Sequence, residues 1–108
     1  MKAYETLFIV KPQVEEKALG ELMSKYENLM TKNQCQILKK ENWGLRTLAY
    51  EIKKCRQGFY LQFHFMAPES FIKTLEHAYR IDENIIRYIT VRLSPSEEKA
   101  YQPANPQE

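Results

Sequence analysis

The chain has 108 residues, of which 44% are apolar and 28% charged, and its formal net charge is +2. These values are typical of one small globular domain, because the chain is too short to bury two separate cores. The longest apolar run covers only residues 7–10, and no apolar signal segment follows the first lysine, so we expect a cytosolic protein without a membrane span. The two cysteines and two histidines lack the close spacings of zinc sites, so we expect no metal and two free thiols near strand ends.

The first half of the chain predicts a strand, a helix and a second strand. Alternating side chains over residues 2–10 predict the first strand, which a Lys-Pro pair ends. Apolar residues at three- and four-residue steps predict an amphipathic helix over residues 14–32. Period-two apolar residues within residues 35–53 predict the next strand, and Gly44 inside that pattern indicates a bulge or a bend.

The second half of the chain predicts a hairpin partner, another helix and a last strand. Residues 53–58 have the composition of a polar turn, and residues 59–67 give the clearest alternating pattern of the chain. A second helix is predicted to open at Pro68, a residue favoured in the first helical turn. Residues 85–93 alternate again and predict the final strand. The stretch 94–108 holds three of the five prolines and predicts a mobile tail, which leaves residues 1–93 as the folded domain.

This order of elements predicts an α+β fold, the ferredoxin-like split βαβ sandwich (βαββαβ), with a four-stranded antiparallel sheet and two helices on one face. The covered face of the sheet is expected to bury five side chains, namely Phe8, Val10, Leu61, Phe63 and Phe65. The open face is expected to carry four apolar side chains, namely Leu7, Ile9, Tyr60 and Ile89. Such a face indicates a protein partner, scattered single exposures, or a covering carboxy-terminal tail, and the pattern leaves all three open.

Positive charge is concentrated in the middle of the chain. Residues 32–56 contain seven bases and two acids, a local charge of +5, whereas the rest of the chain carries −3. Aromatic side chains interleave with these bases, which suits RNA, because bases neutralise phosphates and aromatic rings stack on unpaired nucleobases. Lysines that protect a sheet edge from aggregation explain the charge equally well.

The run from Gly44 to Lys53, GLRTLAYEIK, resembles the signature of the bacterial small-subunit ribosomal protein six family. Three other short segments fit the same family, namely Tyr4-Glu5, Lys11-Pro12 and Ile86-Arg87-Tyr88. The resemblance covers residues 2–93. Thr47 stands where the family usually has a charged or amide side chain, and Glu51 stands where proline is common.

This resemblance implies a structural protein of the small subunit of the cytoplasmic ribosome, with a role in translation and subunit assembly. It further implies that the chain pairs with ribosomal protein eighteen as a heterodimer and binds the central domain of small-subunit ribosomal RNA, on the platform. Neither a cofactor nor a small-molecule substrate is implied.

Two sets of candidate contact residues follow. The expected RNA phosphate contacts are Lys2, Arg46, Lys53, Lys54, Arg56, Arg87 and Arg92. Arg46 ranks first because it lies inside the signature, and Arg87 ranks second because it interrupts an apolar strand. The expected contacts with the protein partner are Trp43, Leu45, Leu48 and Tyr60. Trp43 is the best single anchor, since tryptophan is enriched at interaction hot spots.

Three other function classes compete with this interpretation. An acylphosphatase-like enzyme shares the topology, but the turn after the first strand lacks the glycines and the arginine that would cradle a phosphate, so no catalytic residues are expected. A regulatory ligand-binding domain that forms homodimers suits the apolar open face, but it leaves the basic hairpin without a role. An RNA-recognition motif also matches the topology, although residues 58–63 resemble its consensus only faintly.

Overall fold

The computed structural model describes residues 1–94 and has the element order βαββαβ. The elements are β1 Lys2–Val10, α1 Glu16–Lys32, β2 Gln36–Ile52, β3 Cys55–Ala67, α2 Phe71–Ile81 and β4 Ile85–Arg92. The strands form one antiparallel sheet in the order β2-β3-β1-β4. The predicted ferredoxin-like fold is therefore confirmed, whereas the predicted tail, apart from Ser94, lies outside the described residues.

One face of the sheet packs against both helices. All five side chains predicted for the covered face are buried in the main core, together with helix residues such as Leu22, Tyr26, Leu75 and Tyr79. The rings of Tyr26 and Tyr79 lie 4.9 Å apart, and both contact Phe8 on β1. Fully buried Thr6 hydrogen-bonds the Tyr79 hydroxyl at 3.1 Å, so this polar group in the core keeps a partner.

Asp82 connects the two helices at one end of the domain. Its carboxylate accepts hydrogen bonds from the Tyr26 hydroxyl at 2.8 Å, from Lys25 Nζ at 3.1 Å and from the Asn84 backbone N–H at 3.0 Å. Burial by itself raises the pKa of Asp82, but these donors outweigh burial and hold the pKa below its usual range. The charged carboxylate therefore contributes to holding α1 against the end of α2.

Both helices begin later than the sequence predicted. The Val14 N–H donates to the Lys11 carbonyl, so a turn precedes α1, which begins at Glu16 rather than at residue 14. The Phe71 N–H likewise donates to the Pro68 carbonyl, and α2 begins at Phe71 rather than at the proline. Pro68 therefore lies in the turn that leads into α2 instead of in the first turn of that helix.

The turn between β2 and β3 is much shorter than the predicted polar turn over residues 53–58. Ile52 pairs directly with Cys55, which leaves a two-residue connection made of Lys53 and Lys54, with φ of 47° and 67°. Two positive φ angles are what a type I′ hairpin turn requires. Gly58, the last residue of the predicted turn, lies within β3, which begins at Cys55, four residues before the predicted start.

Bulges bend β2 along its length. The register against β3 shifts between Ile37 and Lys39, between Asn42 and Gly44, and between Thr47 and Ile52. At the second shift Gly44 has φ of 83°, and its N–H donates to the Asn42 side chain at 2.8 Å. The predicted bulge at Gly44 is confirmed, and a positive φ explains why glycine occupies it.

Both cysteines are free and lie near strand ends, as predicted. Cys35 is buried just before β2, and burial raises the pKa of its thiol to about 11. Cys55 is half-buried and is the first residue of β3. Within residues 1–94 no group of three or more potential metal-ligating side chains comes together.

Candidate nucleic-acid and partner interface

The hairpin of β2 and β3 extends past the end of β1. The last residue of β1, Val10, pairs with Phe59, so residues 45–58, here called the hairpin tip, continue beyond the β1 pairing. Within the hairpin tip, β2 has four residues between Thr47 and Ile52, where β3 has only Arg56. These extra residues on one strand bend the hairpin tip.

Gly58 permits a close approach between the hairpin tip and β1. A Cβ atom at this position would meet the side chain of Ile9 and would lie 3.1 Å from the Val10 carbonyl oxygen. It would also lie 3.7 Å from Cδ1 of Ile86, at the start of β4. A side chain at position 58 would therefore push the hairpin tip away from the end of β1, whereas its distance from Ile86 on β4 is an ordinary contact.

A second, small apolar cluster attaches the hairpin tip to the sheet. Leu48 of β2 packs with Ile9 of β1 and Ile86 of β4, and all three are at most 8% exposed. The partly buried side chains packed against them are Ile52, Cys55 and Tyr60. Leu48 was predicted to contact a protein partner, but it is directed inward at the third bulge, and its 7% exposure leaves little surface for such a contact.

The hairpin tip also reaches the opposite edge of the sheet. The Arg87 guanidinium, on β4, donates a hydrogen bond to the Tyr50 hydroxyl on β2, and its central carbon lies 5.7 Å from the centre of the Tyr50 ring. β2 and β4 are the two edge strands, so this contact forms only because the hairpin tip crosses the end of β1. It places Arg87 beside the basic turn of the hairpin.

Two aromatic rings and a guanidinium group lie together at the Gly44 bulge. The rings of Trp43 and Tyr60 are parallel to within 9°, with centres 5.9 Å apart. The guanidinium of Arg46 lies 5.4 Å from the Trp43 ring, and its Nε donates to the Trp43 carbonyl at 3.3 Å. Trp43 and Tyr60 are half-buried. Leu45 is 48% exposed, but it pairs with Phe59, which packs against the helix-side core, so its side chain lies on the opposite face. Two of the four predicted partner residues, Trp43 and Tyr60, thus lie together on the open face.

The structure divides the seven predicted phosphate contacts into two groups. Five lie on or beside the hairpin tip, namely Arg46, Lys53, Lys54, Arg56 and Arg87. Lys2 pairs with Ala67 and Arg92 pairs with Tyr4, so these two lie at the other end of the sheet. At about 3.3 Å per residue, Lys2 is about 23 Å along β1 from Ile9, which lies under the hairpin tip.

A buried polar group lies at the centre of the open face. Gln62 donates to the Glu5 carboxylate at 2.8 Å, and the other Glu5 oxygen lies 3.5 Å from Nε2 of His64. His64 is only 3% exposed although it faces away from the helices. Burial lowers the pKa of His64, and neighbouring Glu5 opposes this effect only in part, which favours the neutral imidazole near pH 7.

Apolar side chains follow β4 along the same face. Ile89 is 56% exposed and pairs with Leu7, as expected from the sequence, while Ile9 is buried in the second cluster. Val91, which is 44% exposed, continues this surface and was not among the predicted contacts. Its alternation with Ile89 along an edge strand was the signal that could have identified it.

Comparison with known proteins decides the family. The family model described as ribosomal protein S6 matches residues 3–92. The chain belongs to the ribosomal protein S6 family. It is 44% identical over 96 residues to small ribosomal subunit protein bS6 of Nostoc sp., with 89% of each chain covered. The corresponding protein of Christiangramia forsetii is 40% identical over 93 residues, which is 86% of this chain and 83% of that protein.

A solved structure supports the same assignment. The crystal structure of 30S ribosomal protein S6 from Thermotoga maritima superposes with a TM-score of 0.85 at 33% sequence identity, and the match covers 92% of this chain and 94% of that one. As a member of the S6 family, the chain is a structural component of the small subunit of the cytoplasmic ribosome and not an enzyme. No helix among residues 1–94 is long and apolar enough to cross a membrane.

In this S6 family member the fold brings one further base, which was not among the predicted contacts, close to the hairpin. Arg80 lies in the last turn of α2, and it lines the same concave surface as Lys53 and Arg87. A lone arginine near a helix end carries no functional signal in sequence, because a base there already interacts favourably with the helix dipole.

Proposed function

We propose that this S6 family protein binds the central domain of small-subunit ribosomal RNA, on the platform, as a heterodimer with ribosomal protein eighteen. The observation that carries the proposal is the hairpin tip, which has four bases and one acid and is held across the sheet beside Arg87. Because the hairpin tip is already packed onto the sheet, its bases can neutralise neighbouring phosphates without the cost of first ordering the backbone.

The sheet face beside the hairpin tip supports the protein half of the proposal. The Trp43 and Tyr60 rings together with Ile89 and Val91 give this face an aromatic and aliphatic surface. Aromatic side chains are enriched at the centres of protein interfaces, and tryptophan is frequent among their hot spots. The RNA-binding bases and the protein-binding surface are therefore neighbours, which suits two chains that bind one RNA together.

The test is a titration of the purified protein against a central-domain ribosomal RNA fragment, with and without ribosomal protein eighteen, at several salt concentrations. We expect binding that is weak alone and tight with the partner. The five bases near the hairpin tip predict a slope of log affinity against log salt of about −3.5 to −4.5, at about 0.7–0.9 per phosphate. Absence of binding to folded RNA at low salt with the partner present would refute the proposal.

A variant of the Lys53-Lys54 turn separates the effect of charge on RNA binding from any effect on hairpin stability. Replacing Lys53→Asn together with Lys54→Gly removes two charges and installs the pair that type I′ turns favour. We expect a hairpin at least as stable as the original and a salt slope smaller by about 1.5. The matched control replaces Lys17→Gln and Lys73→Gln on the helices, which removes the same charge and should leave the slope nearly unchanged.

A further inference from the structure

A small basic cleft opens where the hairpin turn meets the end of α2 and the start of β4. Its volume is about 270 Å³. The lining residues are Lys53, Tyr79, Arg80, Ile85, Ile86, Arg87 and Tyr88. The bases come from three different elements, and they meet only because the hairpin tip crosses the sheet.

The charge of this cleft is not neutralised by the protein. Among residues 1–94 its lining contains no carboxylate, and Lys53, Arg80 and Arg87 form no ion pair. Lys25 and Lys40, by contrast, are each paired with a carboxylate at about 3 Å. The carbonyl end of α2 contributes roughly half a negative charge, which three full positive charges exceed.

One of the bases, Arg87, is held in place before any ligand binds, and a second, Lys53, lies in a turn of defined backbone conformation. The Arg87 guanidinium donates to the Tyr50 hydroxyl and lies over its ring. Lys53 and Lys54 form a turn with positive φ at both residues, a conformation that side-chain-bearing residues adopt at a cost and that Asn-Gly fills more easily. Costly backbone conformations concentrate at binding sites, which gives a reason for two lysines in this turn.

The size and charge of the cleft indicate which class of ligand it can bind. Pockets for organic ligands are mostly apolar and begin near about 300 Å³, so this basic cleft is too small and too charged for a drug-sized molecule. A tetrahedral oxyanion fits better, because the planar guanidinium of an arginine can donate to two of its oxygens at once and a lysine ammonium can donate to a third.

We propose that this cleft binds one phosphodiester group of an RNA strand, held jointly by Lys53, Arg80 and Arg87. The proposal rests on the RNA-binding function proposed above and adds Arg80 to it. It also assigns the end of α2, which no sequence signal connects with RNA, to the interface.

The test compares Arg80→Gln with Lys73→Gln, both in the full chain together with ribosomal protein eighteen. Both residues are exposed on α2 and both changes remove one positive charge, but Lys73 does not line the cleft. We expect Arg80→Gln to weaken RNA binding about tenfold near 0.1 M salt and to reduce the salt slope by about 1. Lys73→Gln should change affinity less than about twofold. Arg80→Lys keeps the charge and loses the fork, so its affinity should be intermediate.

Thermal melts of the variants exclude unfolding as the cause of weaker binding. Inorganic phosphate serves as the second probe, followed by amide NMR shifts at Lys53, Arg80 and Arg87. Perturbation of these amides only at millimolar phosphate, with RNA binding sensitive to Arg80, supports an RNA phosphodiester. Tighter phosphate binding together with unchanged RNA affinity in Arg80→Gln would overturn that assignment in favour of a free anion.

The remaining outcomes distinguish the two proposals. If the wild-type complex binds RNA and Arg80→Gln behaves like Lys73→Gln in affinity and slope, the cleft proposal is wrong and the RNA-binding function stands. If the wild-type complex does not bind RNA, both are wrong.

Discussion

Truncation of Leu48 to alanine tests whether the hairpin tip is packed onto the sheet. Leu48 is 7% exposed and contacts Ile9 and Ile86 in the second cluster. Burying a leucine side chain contributes about 1.5–3 kcal/mol, and the cavity left by truncation adds to the loss. Because this cluster has only three buried members and the hairpin tip can partly collapse, we expect the low end of the observed range, about 2 kcal/mol.

Urea unfolding followed by circular dichroism measures this loss against a matched control. Leu45→Ala is the same truncation in the same strand, but Leu45 is 48% exposed, so its free energy of unfolding should change by less than about 0.5 kcal/mol. A loss of 2 kcal/mol corresponds to a decrease of about 8–16 °C in Tm for a domain of this size. Equal losses in the two variants would refute the packing of the hairpin tip against β1 and β4.

Three further predictions address single residues. Gly58→Ala should destabilise the protein by about 1–3 kcal/mol because its Cβ would overlap the Ile9 side chain and crowd the Val10 carbonyl oxygen. Gly20→Ala, with nothing within 4 Å, should instead stabilise α1 by about 0.5–1 kcal/mol, and thermal melts that shift both variants the same way would contradict this. Because the pKa of Asp82 is lowered, its charge stabilises the fold above about pH 4, and this stability is lost as the pH falls through the lowered pKa. Stability against pH should therefore be flatter on the acid side in Asp82→Asn, and an unchanged profile would count against the role of this carboxylate. Ellman's reagent near pH 8 should label half-buried Cys55 well before Cys35, so Cys55→Ser should remove the fast phase of labelling, and its persistence would show that Cys35 is accessible.

The positions of the elements could be predicted because they depend on local patterns. The alternation over β1 and the three- and four-residue steps over α1 reflect which side chains a strand or a helix places on one face. The start of α2 was predicted too early because proline fits a first helical turn and a preceding turn equally well. The hairpin turn was misplaced because Gly58 looks like a turn residue, whereas its real role is a close contact with β1.

The candidate site could be predicted only in part. Arg46, Lys53 and Arg56 were recognisable from local charge, and Arg46 and Lys53 also from the family signature, since both signals are contiguous in sequence. Leu48 lies in the same run, yet it is buried, because the residue that faces inward after a bulge depends on how many extra residues the strand accommodates. Arg80 carries no sequence signal of its own.

The sequence by itself determined the order of the elements, the helix-covered face of the sheet and, through its signature, the S6 family. These properties depend on side-chain periodicity and on short contiguous motifs. Only the tertiary structure decided that the hairpin tip crosses β1, buries Leu48 and brings Lys53 together with Arg80 and Arg87. The physical reason is that this crossing depends on strand register, on a glycine without a Cβ at position 58, and on contacts between residues about thirty positions apart.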